Sequence, residues 1–315
     1  MLAYLARRFV TLALTLAAAA LVVFLVLEVL PGDPALLMLG TEARADTLAA
    51  LRAEMGLDRP APVRFLAWIG GLLTGDLGTS YAYDVPVAKL IADRLAVTAP
   101  LTALALALST ALALPLGMLA AMKRNRPGDW AVMAFSQVGM AVPNFWLAIV
   151  LVLVFSVGLG WFDAGGFPGW SAGIGPALEA LVLPAVALAV VEAAILARVV
   201  RSAMLETLGE DYVRTARAKG LSRSAVLYRH VLRNALIPIA TIVGLQFGFL
   251  LAGAIVVETV FTLPGLGRLL FQAIAQRDLI VIKDVVVLLA AMVVAVNFLV
   301  DVLYAAIDPR PRARA

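Results

Sequence analysis

Long apolar stretches, each near the length needed to cross a bilayer, alternate along this chain with shorter segments that hold most of its charge. A helix needs roughly twenty predominantly apolar residues to span the hydrocarbon core. Runs of that kind cover Phe9 to Leu30, Val97 to Met122, Ala131 to Gly158, Ala177 to Ala197, Leu236 to Val257 and Val285 to Ile307. The pattern predicts an all-α integral membrane protein with about six transmembrane helices. The first run exceeds the roughly 7 to 15 residues of a signal-peptide core, so it is expected to be retained as a helix. Pro100, Pro115, Pro143 and Pro184 fall inside these runs or at their ends, where neighbouring helices satisfy the freed carbonyls.

Between the first two runs the pattern changes. Leu48, Leu51 and Met55 recur at helical spacing, and Phe65, Leu66, Trp68, Ile69, Leu72 and Leu73 form a second apolar helix before Gly75 that is too short to span. Both are expected at the water interface, with Trp68 as an interfacial anchor and Glu28 reaching the headgroups from the end of the first span. The expected organisation is an N-terminal transmembrane helix over 1–30, an extracytoplasmic segment over 31–95, a five-helix core over 96–307 with a cytoplasmic loop at 202–235, and a cytoplasmic tail over 308–315.

Composition sharpens the picture. Of 315 residues, 63% are hydrophobic and 15% charged, against roughly 45 to 50% apolar in soluble domains, and the mean hydropathy is +0.99. Lipid must cover most of such a chain. The net charge of +4 and pI near 9.6 would suit a nucleic-acid partner, but the Lys and Arg residues sit in short connections, as membrane topology requires. They gather at Arg7 and Arg8, at Lys123, Arg124 and Arg126, along 198–233, and at Arg310, Arg312 and Arg314. That bias predicts a multi-pass protein with both termini cytoplasmic and no nucleic-acid partner.

Candidate chemistry is sparse. There is no cysteine and the single histidine is His230, so neither a thiolate nucleophile nor a Cys or His metal cluster is expected. No GxxxxGK[ST] phosphate loop is present: Lys219-Gly220 runs in the reverse order and the Gly165 to Gly175 stretch lacks the Lys. GxSxG and HExxH are absent too. No catalytic residue, metal or cofactor is expected in the chain itself.

The most informative stretch is SAMLETLGEDYVRTARAKGLSRSAVLYRHVLRNALIP, from Ser202 to Pro238. Asp211 to Lys219 reads as a helix with acid at its start and base at its end. Gly220 occupies a left-handed cap position, and Ser222 can cap a second helix leading into the next span. Ala216, Ala218 and Gly220 are small enough for another protein to approach the backbone closely. Taken alone, the segment is either a docking element or an ordinary basic inside loop.

This loop resembles the EAA loop of binding-protein-dependent ABC importers. Aligned on Gly220, the general consensus Ala-Ala falls on Thr215 and Ala216, while Arg214, His230 and Arg233 depart from it. The form DYVRTARAKGL followed by RHVLRNALIP is similar to that of the dipeptide, oligopeptide and nickel permeases. LPGDPA at 30–35, GLDRP at 56–60, GDLGTS at 75–80, VPNFW at 142–146, VVETVFTLPGLGRLL at 256–270 and DVLYAAIDPR at 301–310 match the same branch. The resemblance implies a type I ABC importer permease fold in the bacterial cytoplasmic (inner) membrane. It further implies a homologous second permease, two cytoplasmic ATPase subunits that bind ATP and Mg, and an extracytoplasmic substrate-binding protein. Asp211, Tyr212, Arg214, Thr215, Ala216, Arg217, Ala218, Lys219 and Gly220 would form the helix that couples to an ATPase. Di- or oligopeptides are the first substrate expectation, before nickel chelates, glutathione or oligosaccharides.

Polar residues inside spans are costly and therefore invite functional readings. Glu192, Gln246 and Asn297 are candidates for the translocation path, with Glu192 either pairing with Arg198 or facing the pore. Glu258 and Asp301 are placed near enough to span ends to reach water. Gly244, Gly248 and Ala252 recur every four residues, a close-packing pattern suited to a helix interface within the chain or with a second permease. Pro264, Gly265 and Gly267 predict a tight turn and a short helix, as a plain connection, or as a contact for the binding protein or a gate over the pathway. Two other functions are weighed: an ion-gradient-driven secondary transporter, which usually shows internal repeats not found here, and a membrane-embedded enzyme, for which no convergent titratable cluster is found.

Overall fold

The computed structural model describes residues 2–29, 34–39 and 44–307. The first four residues of LPGDPA, the last three of DVLYAAIDPR and the tail over 308–315 lie outside them. Thirteen α-helices follow in chain order among the described residues: α1 Leu2–Val29, α2 Pro34–Leu39, α3 Ala45–Glu54, α4 Ala61–Thr74, α5 Val87–Met122, α6 Pro127–Ala141, α7 Asn144–Leu151, α8 Ile174–Leu208, α9 Asp211–Ala218, α10 Arg223–Ala225, α11 Arg233–Val260, α12 Leu266–Gln276 and α13 Leu279–Ile307. Five helical spans are long and apolar enough to cross a membrane, or six if one bent pair counts as a span.

That pair corrects one expectation. The run from Ala131 to Gly158, read as a single span, is α6 and α7 bent by 100°. Val142 and Pro143 between them are extended, at φ −88, ψ 120 and φ −66, ψ 139. Proline lacks an N–H and pushes the preceding residue out of the helical region, and Leu147 N–H restarts the helix by donating to the Pro143 carbonyl at 3.1 Å. By contrast Pro100 and Pro115 in α5, Pro184 in α8 and Pro238 in α11 stay inside helices. From Val226 to Leu232 the chain is π-helical, joining α10 to α11.

The chain forms two compact units, 98–263 with 296–307, and 2–97 with 264–295 among the described residues. In the first, α8 packs against α6, α7 and α11. Ala185, Ala189, Ala193 and Ala197 recur every fourth residue on α8 and are buried, the small-residue stripe that lets helices pack closely where lipid supplies no hydrophobic drive. A Cβ at Gly139 would collide with Ala194, and one at Gly117 would stand 2.5 Å from Val200.

In the second unit α4 carries Phe65 and Trp68 against Phe24 of α1, with ring centroids 5.2 and 6.2 Å from Phe24. Trp68, expected as an interfacial anchor, is packed inside this unit. It is 8% exposed and its indole N–H donates to Asp284 Oδ1 at 2.6 Å, because buried tryptophan needs an acceptor. Glu28 pairs with Arg64 rather than reaching freely for headgroups. Asp278, before α13, accepts from Ser80 Oγ at 2.5 Å and Ala82 N–H at 3.1 Å. The short helix after Pro264 is α12, with Leu266, Leu269 and Ala273 fully buried.

Candidate functional site

Local chemistry explains why the 211–220 segment is a helix that stops abruptly. Asp211 lies in the first turn and Arg217 in the last, each complementing the helix dipole. Gly220 then takes φ +82, its N–H donates to the Arg217 carbonyl at 2.9 Å, and Leu221 N–H donates to the Ala216 carbonyl at 3.4 Å. Those two bonds are the Schellman pattern, which uses glycine because a Cβ disfavours left-handed backbone. Ser222 follows as an N-cap, its hydroxyl accepting from Ala225 N–H at 3.3 Å.

One face of α9 is anchored. Val213 and Ala216, three residues apart, are buried in the cluster that includes Val200 and Met204 of α8, Leu227 and Val231 of the π-helical turn, and Ile239 of α11. Ala216 thus faces inward and is unavailable for contact with another protein, contrary to the expectation, because the three-residue spacing puts it on the Val213 face. The opposite face holds Asp211, Arg214, Thr215, Arg217, Ala218, Lys219 and Gly220, all exposed. Arg214 Nη1 lies 3.3 Å from Asp211 Oδ1, and Thr215 Oγ1 donates to the Asp211 carbonyl at 3.0 Å. Burial and the Glu210 carboxylate raise the Tyr212 phenol above its ordinary pKa, against a hydrogen bond from Asn234. Beside the helix, Arg217 and Arg223 border an open cleft of about 550 Å³ whose apolar lining includes Met122, Leu208 and Leu221. The arrangement offers a rigid, basic, small-residue surface and no reacting group.

An ion pair that the sequence reading missed lies in the same unit. Arg201 donates from Nε to Asp129 Oδ1 at 2.5 Å and from Nη2 to Oδ2 at 2.7 Å. Asn125 N–H, at φ +60, also donates to Asp129 Oδ2, at 2.9 Å. The carboxylate is 1% exposed. This bidentate pair ties the first turn of α6 to α8 about two turns before that helix ends at Leu208. Asp129 after Arg126-Pro127 was legible as a helix-start acid; its partner, 72 residues away, was not.

Within the spans, Gln246 Nε2 donates to the Glu192 carbonyl at 2.8 Å and both residues are buried. Glu192 does not pair with exposed Arg198; α8 turns the two onto different faces. Among the described residues Glu192 Oε2 and Gln246 Oε1 have no hydrogen-bond partner, nor do Ser136 Oγ and Asn144 Oδ1. Asn297 is half-buried on α13 and apart from these bonds. Glu258 does not reach water as expected: it is fully buried and accepts from Thr98 Oγ1 at 2.5 Å. Gly244 packs on Val300 of α13, where an added Cβ would stand 2.5 Å from a methyl, whereas Gly248 is half-buried and Ala252 exposed. Near the stripe's end the close approach is at Gly253, where an added Cβ would stand 2.8 Å from Asn144 and 2.9 Å from Leu188, a position that a four-residue count from Gly244 passes over. Among the described residues no three His, Cys, Asp or Glu converge on a metal site.

Comparison with known proteins places this geometry in context. The family described as the inner membrane component of binding-protein-dependent transport systems matches residues 113–313, and its N-terminal region matches 1–102. The chain is 44% identical over 300 residues to a putative peptide transport system permease protein of Brucella abortus, covering 93% of each. It is 43% identical over 312 residues to the glutathione transport system permease protein of Salmonella choleraesuis, covering 99% of each. A probable peptide ABC transporter permease protein of Sinorhizobium fredii is 40% identical over 309 residues, with 98% of this chain and 99% of that one covered. Among solved structures, an amino acid ABC transporter crystallised with histidines aligns at TM-score 0.53 and 17% identity, over 69% of this chain and 94% of that one. That last likeness concerns the fold alone.

Proposed function

The chain belongs to the family of inner membrane components of binding-protein-dependent transport systems, and from that premise we propose that it forms one half of the translocation pathway of a peptide importer. It is a permease subunit of an ABC importer, and ATP hydrolysis belongs to partner subunits. In the proposed assembly it stands beside a homologous second permease, above two cytoplasmic ATP-binding subunits that hold ATP and Mg, and below an extracytoplasmic binding protein. Both termini and α9 are on the cytoplasmic side, on the strength of the Lys and Arg bias. The substrate class is small amide-linked molecules, peptides or glutathione, the cargoes named for its relatives.

The observation that carries the coupling role is the two-faced character of α9. Its outer face is exposed, basic and capped by Ala218 and Gly220, while Val213 and Ala216 are locked into the cluster shared by α8 and α11. A close-packed core moves as a unit, so a displacement of α9 by an ATPase passes directly into two spans. The helix transmits force and does no chemistry. Glu192 and Gln246 are assigned to the α8–α11 contact, since both are buried in this conformation. Asn297 stays a pathway candidate, and the stripe of Gly244, Gly248 and Ala252 is divided between packing on Val300 and an outward face suited to a second permease.

The test is affinity purification of the tagged chain in mild detergent, followed by reconstitution with its binding protein. Recovery of an ATPase and a second permease, with ATP-dependent uptake of labelled peptide or glutathione, supports the proposal. A chain that purifies alone and transports without ATP overturns it.

A further inference from the structure

We infer that the second unit carries a binding site for the phosphate headgroup of an anionic phospholipid, beside the C-terminal end of α1. A cavity of about 250 Å³ there is lined by Glu28, Arg59, Arg64, Trp68, Tyr81 and Lys283, with Phe24 and Leu27 completing its apolar wall. Three of these side chains are cations and one is an acid. The acid is already engaged by Arg64, and neither Arg59 nor Lys283 has a carboxylate within ion-pairing distance among the described residues. Lys283 Nζ instead sits 5.2 Å over the Trp68 ring, and the Asp284 carboxylate is engaged as acceptor of the indole N–H. Arg64 Nε is buried and has no hydrogen-bond partner among the described residues. A buried guanidinium N–H without an acceptor is costly, and an anionic oxygen in the cavity would satisfy it.

Position identifies the source of that oxygen. Phe24, Leu27 and Glu28 belong to the last turns of the span Ala6–Val29, the depth at which headgroups meet protein. The surfaces flanking the cavity are apolar and uncovered: Leu25 and Val29 of α1 are 50% and 81% exposed, and Leu66 of α4 is 68% exposed. A lipid can lay its acyl chains along these residues while its phosphate enters the cavity. A soluble anion would use only the cations. With more positive than negative charge in the lining, a headgroup of net negative charge is preferred over a zwitterionic one.

The experiment uses the purified permease complex in detergent, with phosphatidylglycerol, phosphatidylcholine or inorganic phosphate added separately. Melting temperature and lipid retained in native mass spectrometry are the readouts. Phosphatidylglycerol should be retained and raise the melting temperature, phosphatidylcholine should do neither, and Arg59→Gln/Lys283→Gln should bind phosphatidylglycerol roughly thirty-fold more weakly. The charge-preserving Arg59→Lys/Lys283→Arg chain should behave as the parent, which separates loss of charge from loss of fold. Equal response to the two lipids, or an undiminished response in the Gln variant, overturns the inference. So does equal stabilisation by inorganic phosphate, which would make the ligand a soluble anion. None of these outcomes depends on the cargo or on the coupling role of α9.

Discussion

Gly220 allows the coupling reading to be tested with little interference from the permease's own stability. Its φ of +82 costs an ordinary L-residue roughly 1–2 kcal/mol, and asparagine tolerates such backbone better than most. Its chain neighbours aside, no atom of the described residues lies within 4 Å of where a Cβ would stand, so a side chain here starts in open space. Gly220→Asn should therefore fold and insert normally, Gly220→Ala should lose about 1 kcal/mol locally, and Gly220→Trp should lose little more. If another protein's surface packs on this turn, the indole of Gly220→Trp overfills that contact at about 1–3 kcal/mol, a roughly ten- to hundredfold loss of affinity. The assay pairs recovery of the ATPase on the tagged chain with ATP-driven uptake, and uses melting temperature to register folding. Loss of ATPase and uptake in Gly220→Trp, at a melting temperature within a few degrees of Gly220→Ala, is the expected result. Parent-level uptake by Gly220→Trp would refute the reasoning, because a protein surface seated on this turn cannot ignore an indole.

Other consequences can be checked on the folded chain. Arg201→Leu leaves the buried Asp129 carboxylate uncompensated and should destabilise the first unit by about 3 kcal/mol in detergent unfolding, with Asp129→Asn/Arg201→Leu recovering part of the loss. Gly244→Ala should cost about 1–3 kcal/mol through collision with Val300, and Val300→Ala should relieve it. Asp278→Ala frees Ser80 Oγ and Ala82 N–H and should expose the 79–86 connection to proteolysis, an effect of about 1–3 kcal/mol. Burial, then Asp278, push the Tyr81 phenol up to about 12 from 10.0, against Arg64. The neutral form is the one favoured by folding, so its contribution is complete below pH 10.0 and is lost as pH rises toward 12. A spectrophotometric titration differenced against Tyr81→Phe should show no tyrosinate from this residue near pH 10.0.

The spans were legible because run length is a direct reading of bilayer thickness. The capped turn at Gly220 was legible because glycine after a short amphipathic helix has a specific backbone meaning. Direction was not: hydropathy sums composition along a run and cannot see a 100° bend, although Val142-Pro143 carried the local signal for it. Long-range pairing was equally hidden. Trp68 reads as an interfacial anchor until Asp284, 216 residues later, supplies a buried acceptor, and Glu258 reads as water-accessible until Thr98 is found against it. The inward face of Ala216 could have been read, since its spacing from Val213 already assigned it. The stripe from Gly244 had the right residue type, but regular spacing selects a helix face and leaves open which neighbour covers it.

The continuous helix α8 has a mechanical consequence. Its 35 residues rise about 52 Å at about 1.5 Å each, well beyond the roughly 30 Å of hydrocarbon. A rod of that length tilts or extends beyond the hydrocarbon, with α9 following its C-terminal end and the Asp129–Arg201 pair bracing it about two turns before that end. On the proposed coupling role, an ATPase pushing at α9 would work on a lever whose fulcrum is that brace. A modest stroke outside the membrane would then become rotation within it, with no contact between motor and lipid.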